Sequence, residues 1–322
     1  MSQHPIPVFV LGSGRSGTTI TATLLSHLPR VQISKETGYI SQNIALLKDI
    51  DNPASLMRLI DAVNEWLKVS QPGYLASLDG FRQFCSRYDI YDSRAFIHYI
   101  WQLNSPKPWH ELSFIGDNTP LYIMAIPAIQ EMMPDARFIH MVRDPRDVVT
   151  STLRMRFGAD DPVIAALEWH IALGCWLLAE RIVAADRRIE CRYEDLCTAP
   201  EETMTRLSTF LNHTQQEAIA ALAAHASAGR HQNTGFETVA TVSHHKRLVE
   251  PVGPNRVGRY TSELSAAQIR SIEAIAQYGM LAYGYKPTGW HDHPLVWENR
   301  ISLLKSMLRD LAKRCAKRLC GK

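Results

Sequence analysis

Eight consecutive residues near the start of the chain, Gly12-Ser13-Gly14-Arg15-Ser16-Gly17-Thr18-Thr19, combine small side chains, hydroxyls and one guanidinium. Small residues let backbone N–H groups converge on an anion, and a helix starting at Thr18 adds the positive end of its dipole. The spacing is that of a phosphate-cradling G-x-x-x-x-G-K-[ST] loop with one difference: Thr18 stands where a nucleoside triphosphate needs its Lys. The cation is Arg15, earlier in the loop, so the ligand expected is an anion with less charge than a triphosphate. A second anion pattern is Arg143, which leaves an apolar run, with Ser151 eight residues on. A guanidinium grips phosphate bidentately, and a serine two helical turns along can donate a hydroxyl hydrogen bond. The competing reading of Arg143-Asp144 is a plain Arg–Asp capping arrangement.

These residues need elements that bring them to one edge. Pro7–Leu11 reads as a buried parallel strand ending in the glycine loop, and 18–28 as the helix after it. Val31–Ser34 reads as a second strand, 113–116 as a weak third followed by a helix to Met133, and 137–142 as a strong fourth. Pro145 suits the first turn of a helix. One long buried helix is expected over 162–186, then a strand over 188–192, helices over about 201–226, and a helix from Ser265 to about Tyr278. Residues 228–262 are polar and read as a long loop of the kind that is functional or mobile. Strands alternating with helices predict an α/β fold, a doubly wound parallel sheet flanked by helices. Such sheets place ligands at the carboxyl ends of their strands, where Arg143 stands.

At these residues the chain resembles the sulfotransferases that use 3′-phosphoadenosine 5′-phosphosulfate (PAPS). Arg15-Ser16-Gly17-Thr18-Thr19 matches the family's R-S-G-T-T loop, which implies that these five residues hold the 5′-phosphosulfate. Arg143 and Ser151 match the family's pair on the 3′-phosphate. Tyr193-Glu194-Asp195-Leu196 is similar to its R-Y-E-D-L segment, which gives Tyr193 a nucleotide contact. Val257-Gly258-Arg259-Tyr260 is similar to a V-G-R-W stretch that closes over PAPS, with Arg259 on the 3′-phosphate. Ser243 falls near a serine that approaches the phosphosulfate. Sulfuryl transfer needs a base for the acceptor proton and cations near the leaving oxygen. Glu36, in Ser34-Lys35-Glu36-Thr37-Gly38, lies 21 residues after Arg15, the spacing of the protein-tyrosine and carbohydrate enzymes. The resemblance therefore implies Glu36 as general base, with His110, His140 and His231 as rivals. Asn118 stands where relatives often carry a Lys, so Arg15 or Lys35 is left to supply the leaving-group cation. The reaction implied is transfer from PAPS to a hydroxyl of a small molecule, glycan, lipid or tyrosine, with PAPS as co-substrate and no metal.

Residues 39–112 hold eleven of the chain's aromatic residues and read as a helical insertion, either the wall of an acceptor pocket or a subdomain core. The division expected is a domain over 1–290, carrying that insertion on its acceptor side, and a basic amphipathic helix over 291–322. Within it 301–322 carry seven Lys or Arg and one Asp. That helix could meet an anionic membrane or a second subunit, or pack on the domain. In 322 residues the net charge is only +3, which argues against nucleic acid as a partner. Six cysteines without CxxC spacing form neither a disulfide framework nor a zinc site. The N-terminal residues lack the pattern of a signal peptide, so the expectation is a cytoplasmic protein, peripheral on a membrane only through its tail. Two other functions stay open: a P-loop kinase or nucleotidase, and a non-catalytic PAPS-binding scaffold.

Overall fold

The computed structural model describes residues 4–71, 73–103, 105–155, 159–228 and 253–288. Ser243, His231 and the tail helix of 291–322 lie outside the described residues. The chain divides into two units, Met1–Arg143 with Ile171–Arg259, and Asp144–His170 with Tyr260–Lys322.

The first unit is organised on five parallel strands: β1 (Ile6–Gly12), β2 (Val31–Ser34), β3 (Phe114–Asp117), β4 (Arg137–Val142) and β5 (Arg188–Arg192). Their order is β2-β3-β1-β4-β5. From β1 the chain first fills one side of the sheet and then the other, so β1 and β4 flank the point where strand order reverses. Doubly wound sheets bind ligands in the crevice outside that point. The register pairs Phe9 with Asp117 and Gly12 with Met141, which brings the loop after β1 beside the exits of β3 and β4.

Alternation along the strands builds two apolar layers. Phe9, Leu11, Ile115 and Phe138 face one core, and Val8, Val10, Phe114, Ile139 and Met141 face the other. The second layer takes helices α1 (Thr18–Ser26), α10 (Tyr193–Thr198), α11 (Pro200–Phe210) and α12 (Gln215–Ala228). The first takes the insertion: α2 (Tyr39–Gln42), α3 (Ile44–Lys48), α4 (Pro53–Ser70), α5 (Leu78–Tyr88) and α6 (Ser93–Leu103), with α7 (Ile126–Met132). Of the insertion's aromatics, Tyr39, Phe81, Phe84, Phe96, Tyr99, Trp101 and Trp109 are buried in this core, whereas Tyr74 and Tyr91 are exposed. Most of the aromatic excess is therefore packing.

Several boundaries differ from the sequence expectation. Helix α1 stops at Ser26, because His27 and Leu28 bond three residues back and Lys107 Nζ donates to the carbonyls of Ser26, Leu28 and Val31 at 2.8, 3.0 and 2.6 Å. Helix α9 (Pro162–Ala179) is shorter than 162–186: Arg181 and Ile182 bond three residues back, which lets Val183 into the core. It is also half-buried rather than buried, with Ala172, Trp176 and Ala179 inward and Ile171, Leu177 and Leu178 exposed. The segment after β3 begins as a 3₁₀ turn, Pro120–Ala125, before α7.

The second unit packs α8 (Pro145–Thr152), α13 (Tyr260–Glu263) and α14 (Ala266–Ala282) around Val149, Ala159, Ala165, Ala166 and Ile272. Its polar centre is Arg146, whose guanidinium pairs with Asp144 at 2.6 Å and Glu273 at 2.7 Å, donates to the Lys286 carbonyl at 3.1 Å and lies over the Tyr260 ring. Helix α14 outruns its expected end by four residues. Gly284 (φ 72°) supplies the left-handed turn that ends it, and Tyr285 N–H donates to the Met280 carbonyl.

Candidate functional site

The loop between β1 and α1 is shaped by its glycines. Gly17, the residue before α1, has φ 99°, and a Cβ there would come within 2.4 Å of Tyr193 Cδ2. Backbone conformation and space both demand glycine. No side chain caps α1 at Gly17, so the N–H groups of its first turn, around buried Thr18 and half-buried Thr19, face the loop as spare donors. Ser16 is fully buried, and its hydroxyl closes the loop on itself by pairing with the Ser13 hydroxyl at 2.6 Å.

Arg143 leaves β4 directly beside this loop. Its guanidinium donates to the Arg15 carbonyl at 3.2 Å and lies 4.4 Å from the centre of the Tyr193 ring. Tyr193 is buried at the start of α10, where the chain leaves β5. The capping alternative is also realised: Asp144 caps α8 through the Arg146 N–H and pairs with the Arg146 side chain. Burial holds Arg15 below its ordinary pKa; Glu36 opposes that shift and Arg143 adds to it. Two guanidiniums with mutual repulsion beside a helix N-terminus make a strong anion site.

Glu36 follows β2 at the same edge. It reaches solvent yet is crowded by protein on its other sides. Desolvation first, and then the charge of Asp117, raise its pKa to about 7, while Arg15 pulls it down. Asp117 ends β3 with no exposed surface. Its carboxylate accepts from the Thr37 hydroxyl, from Trp101 Nε1 at 3.2 Å and from the Thr119 N–H at 2.7 Å. Burial outweighs these bonds and lifts its pKa to about 6. Next to it the amide of Asn118 and the hydroxyl of Ser34 are buried without a hydrogen-bond partner among the described residues.

The structure thus brings Arg15, Ser16, Gly17, Thr18, Thr19, Glu36, Arg143 and Tyr193 to one end of one sheet. Arg259 is half-buried at the end of the first unit, after Gly258 (φ 74°) and Val257, which packs on the core that includes Tyr193. Ser151 stands in the second unit, on α8. Among the rival bases, His140 is engaged: its Nδ1 meets Glu190 at 2.9 Å and its ring stacks on Trp176. His110 is exposed in a 3₁₀ turn before β3, at the amino edge of the sheet. Sequence reasoning passed over the carboxylate of Asp117 and its partners. The signal was an acidic residue closing an apolar strand at the ligand-binding edge.

The sulfotransferase family model matches residues 7–217, from β1 into α12. A protein-tyrosine sulfotransferase of Drosophila melanogaster is 22% identical over 287 residues, 87% of this chain, and the chain covers 52% of that protein. Protein-tyrosine sulfotransferase 1 of Danio rerio is 22% identical over 311 residues, 93% of this chain and 79% of the relative. Among solved structures, the sulfotransferase domain of the Synechococcus PCC 7002 olefin synthase superposes with a TM-score of 0.56 at 20% identity, covering 88% of this chain and 96% of that one. The sulfotransferase domain from the curacin biosynthetic pathway gives 0.52 at 17%, covering 88% and 98%. These two share the fold. With the family model spanning the loop, Glu36, Arg143 and Tyr193, the chain belongs to the sulfotransferase family.

Proposed function

We propose that the protein transfers the sulfuryl group of PAPS to a hydroxyl acceptor, with Glu36 as general base. The observation that carries this reading is the meeting of a cationic, helix-capped anion loop and a carboxylate of raised pKa at one strand edge. In the proposal, the 15–19 loop holds the 5′-phosphosulfate and Arg143 the 3′-phosphate, with Tyr193 and Arg259 on the nucleotide. Ser151 and Ser243 keep their assignments from the sequence pattern alone.

The Glu36 carboxylate takes the acceptor's proton while the acceptor oxygen bonds to sulfur. The bond from sulfur to the 5′-phosphate oxygen breaks, and the charge on that oxygen falls to Arg15 and the first turn of α1. Asn118 can add a hydrogen bond to the same charge. A base with a pKa of about 7 is well matched to work near neutral pH. Trp66 of α4 approaches Gly38, two residues after Glu36, so the insertion borders the base and is proposed as the acceptor wall. The protein-tyrosine sulfotransferases among the relatives make a tyrosine phenol the first acceptor to try.

Calorimetric titration with adenosine 3′,5′-bisphosphate tests the nucleotide, and labelled PAPS with a panel of phenols, alcohols and sugars tests the transfer. Tight binding lost by about 2–4 kcal/mol in Arg143→Ala is expected. Preference for ATP over the bisphosphate, with strict Mg²⁺ dependence, would favour the kinase reading instead. Binding without turnover across the panel would favour the scaffold.

A further inference from the structure

The turn that carries Glu36 makes few bonds of its own. Its order comes from the end of β3. The Thr37 hydroxyl donates to Asp117 and lies 2.8 Å from the Tyr122 hydroxyl. The Thr37 and Gly38 N–H groups both donate to Thr119 Oγ1, at 2.9 and 3.1 Å, and the Ile40 N–H donates to the Tyr122 hydroxyl at 3.1 Å. Thr119 is itself fixed, because its N–H is bonded to Asp117. Trp101 Nε1, from α6, donates to Oδ2, the oxygen that also accepts from Thr37, while the Thr119 N–H takes Oδ1. Among the described residues, Thr37 and Thr119 bind Asp117 directly, and Tyr122 joins the same network through the Thr37 hydroxyl.

We propose that Asp117 is a positioning residue, holding the 37–40 turn against β3 so that the Glu36 carboxylate is presented at the acceptor side of the anion loop. The inference rests on the sulfotransferase reading for its kinetic consequence but not for its geometry. A buried carboxylate is costly to keep, and here it is bonded by three donors and linked to two hydroxyls that bind the turn. Asp117 also sets the charge that Glu36 meets. The groups facing Glu36 are Arg15 from the loop and Asp117 from β3. Those near Asp117 are Thr37, Thr119 and Trp101, together with the phenols of Tyr39 and Tyr122. Arg15 is the cation among them, and it lies on the nucleotide side. Removing the Asp117 charge therefore makes Glu36 easier to ionise and a weaker base.

Three variants separate the roles. Asp117→Asn removes the charge and one acceptor, Thr37→Val removes the tether but keeps the carboxylate, and Thr37→Ser restores the tether. Misplacing a reacting group by about 1 Å can cost about 10²-fold in rate. The expected result is a kcat loss of about that size in Asp117→Asn and Thr37→Val. Bisphosphate affinity should be unchanged in both, and activity restored in Thr37→Ser. The acidic limb of the pH–rate profile should move down in Asp117→Asn. Amide exchange at Gly38 and Ile40, and the Glu36 carboxyl titration by NMR, read the same coupling without turnover. Faster exchange at both amides and a lowered Glu36 pKa in Asp117→Asn are expected. If exchange and titration stay as in the wild type, the inference fails, whatever the activity. If both change while no PAPS is turned over by the wild type, the sulfotransferase reading fails and the positioning role stands. A uniform loss of stability, nucleotide affinity and rate with the limb unmoved would reduce Asp117 to a structural residue.

Discussion

Gly17→Ala is the perturbation that tests the loop most directly, because two separate penalties fall on one methyl group. The first is conformational: an L-residue held in the left-handed region costs about 1–2 kcal/mol, and Gly17 sits at φ 99°. The second is steric. The added Cβ would lie 2.4 Å from Tyr193 Cδ2 and 2.9 Å from Cε2, well inside contact distance. Tyr193 is 5% exposed, with Arg143 on its face, so the ring has little room to withdraw. Overpacking of this kind costs about 1–3 kcal/mol. Together they predict a loss of about 2–5 kcal/mol in denaturant unfolding, with weaker bisphosphate binding as Tyr193 and Arg143 shift. The double variant Gly17→Ala/Tyr193→Ala isolates the steric part, since the backbone penalty remains and the collision does not. A favourable coupling of about 1–3 kcal/mol is expected from the four-variant cycle. Additivity within about 0.5 kcal/mol would show that the ring does not press on the loop, and the account of the site's shape would be wrong.

Lys107→Met removes the ammonium that serves the carbonyls of Ser26, Leu28 and Val31, and a loss of about 1–3 kcal/mol is expected in thermal unfolding. Arg146→Met leaves Asp144 and Glu273 buried without their shared cation. It should cost about 3–5 kcal/mol, read by denaturation, whereas Arg154→Met, at an ion pair half exposed to water, should cost under about 1 kcal/mol. Under the proposed function, with ionised Glu36 as the base, the transfer rate should rise with pH through about 7, and Glu36→Gln should lose about 10²–10⁴-fold and that limb with it. The sign for stability is opposite: the folded state holds this proton more tightly, so Glu36's contribution is present below its ordinary 4.5 and is lost as pH rises toward about 7.

How much of this was legible in the sequence follows from what each feature depends on. The strand 137–142 was readable to the residue, because Phe138, Ile139, Met141 and Val142, interrupted only by His140, lead up to Arg143. The anion loop was equally clear, since left-handed backbone and close approach demand glycine at fixed positions. Helix ends were less legible where long-range contacts decide them. Nothing local at 24–28 announces that Lys107, far along the chain, takes the last carbonyl of α1. At 279–285 a local signal did exist in Gly284, but Gly279 competes with it and is carried inside α14. Asp117 was invisible as a partner of Glu36 because 81 positions separate them. Only the pairing of β2 with β3, Ser34 opposite Asp117, sets the two strand exits side by side.

That pairing also explains why the two halves of the chemistry do not cancel. Cations gather where β1 and β4 end, with Arg15, Arg143 and the start of α1, while carboxylates gather where β2 and β3 end, with Glu36 and Asp117. The sheet separates them by its strand order, and Arg15 is the residue that feels both groups. Had Glu36 followed β4, the guanidiniums would hold it ionised and weakly basic. On the β2 side, burial and Asp117 outweigh the single guanidinium, so its pKa rises toward neutrality. An anion bound at the loop would occupy Arg15 and add negative charge, moving Glu36 further in the same direction. Under the proposed function the base would then be strongest with the nucleotide in place, which ties proton transfer to an assembled complex.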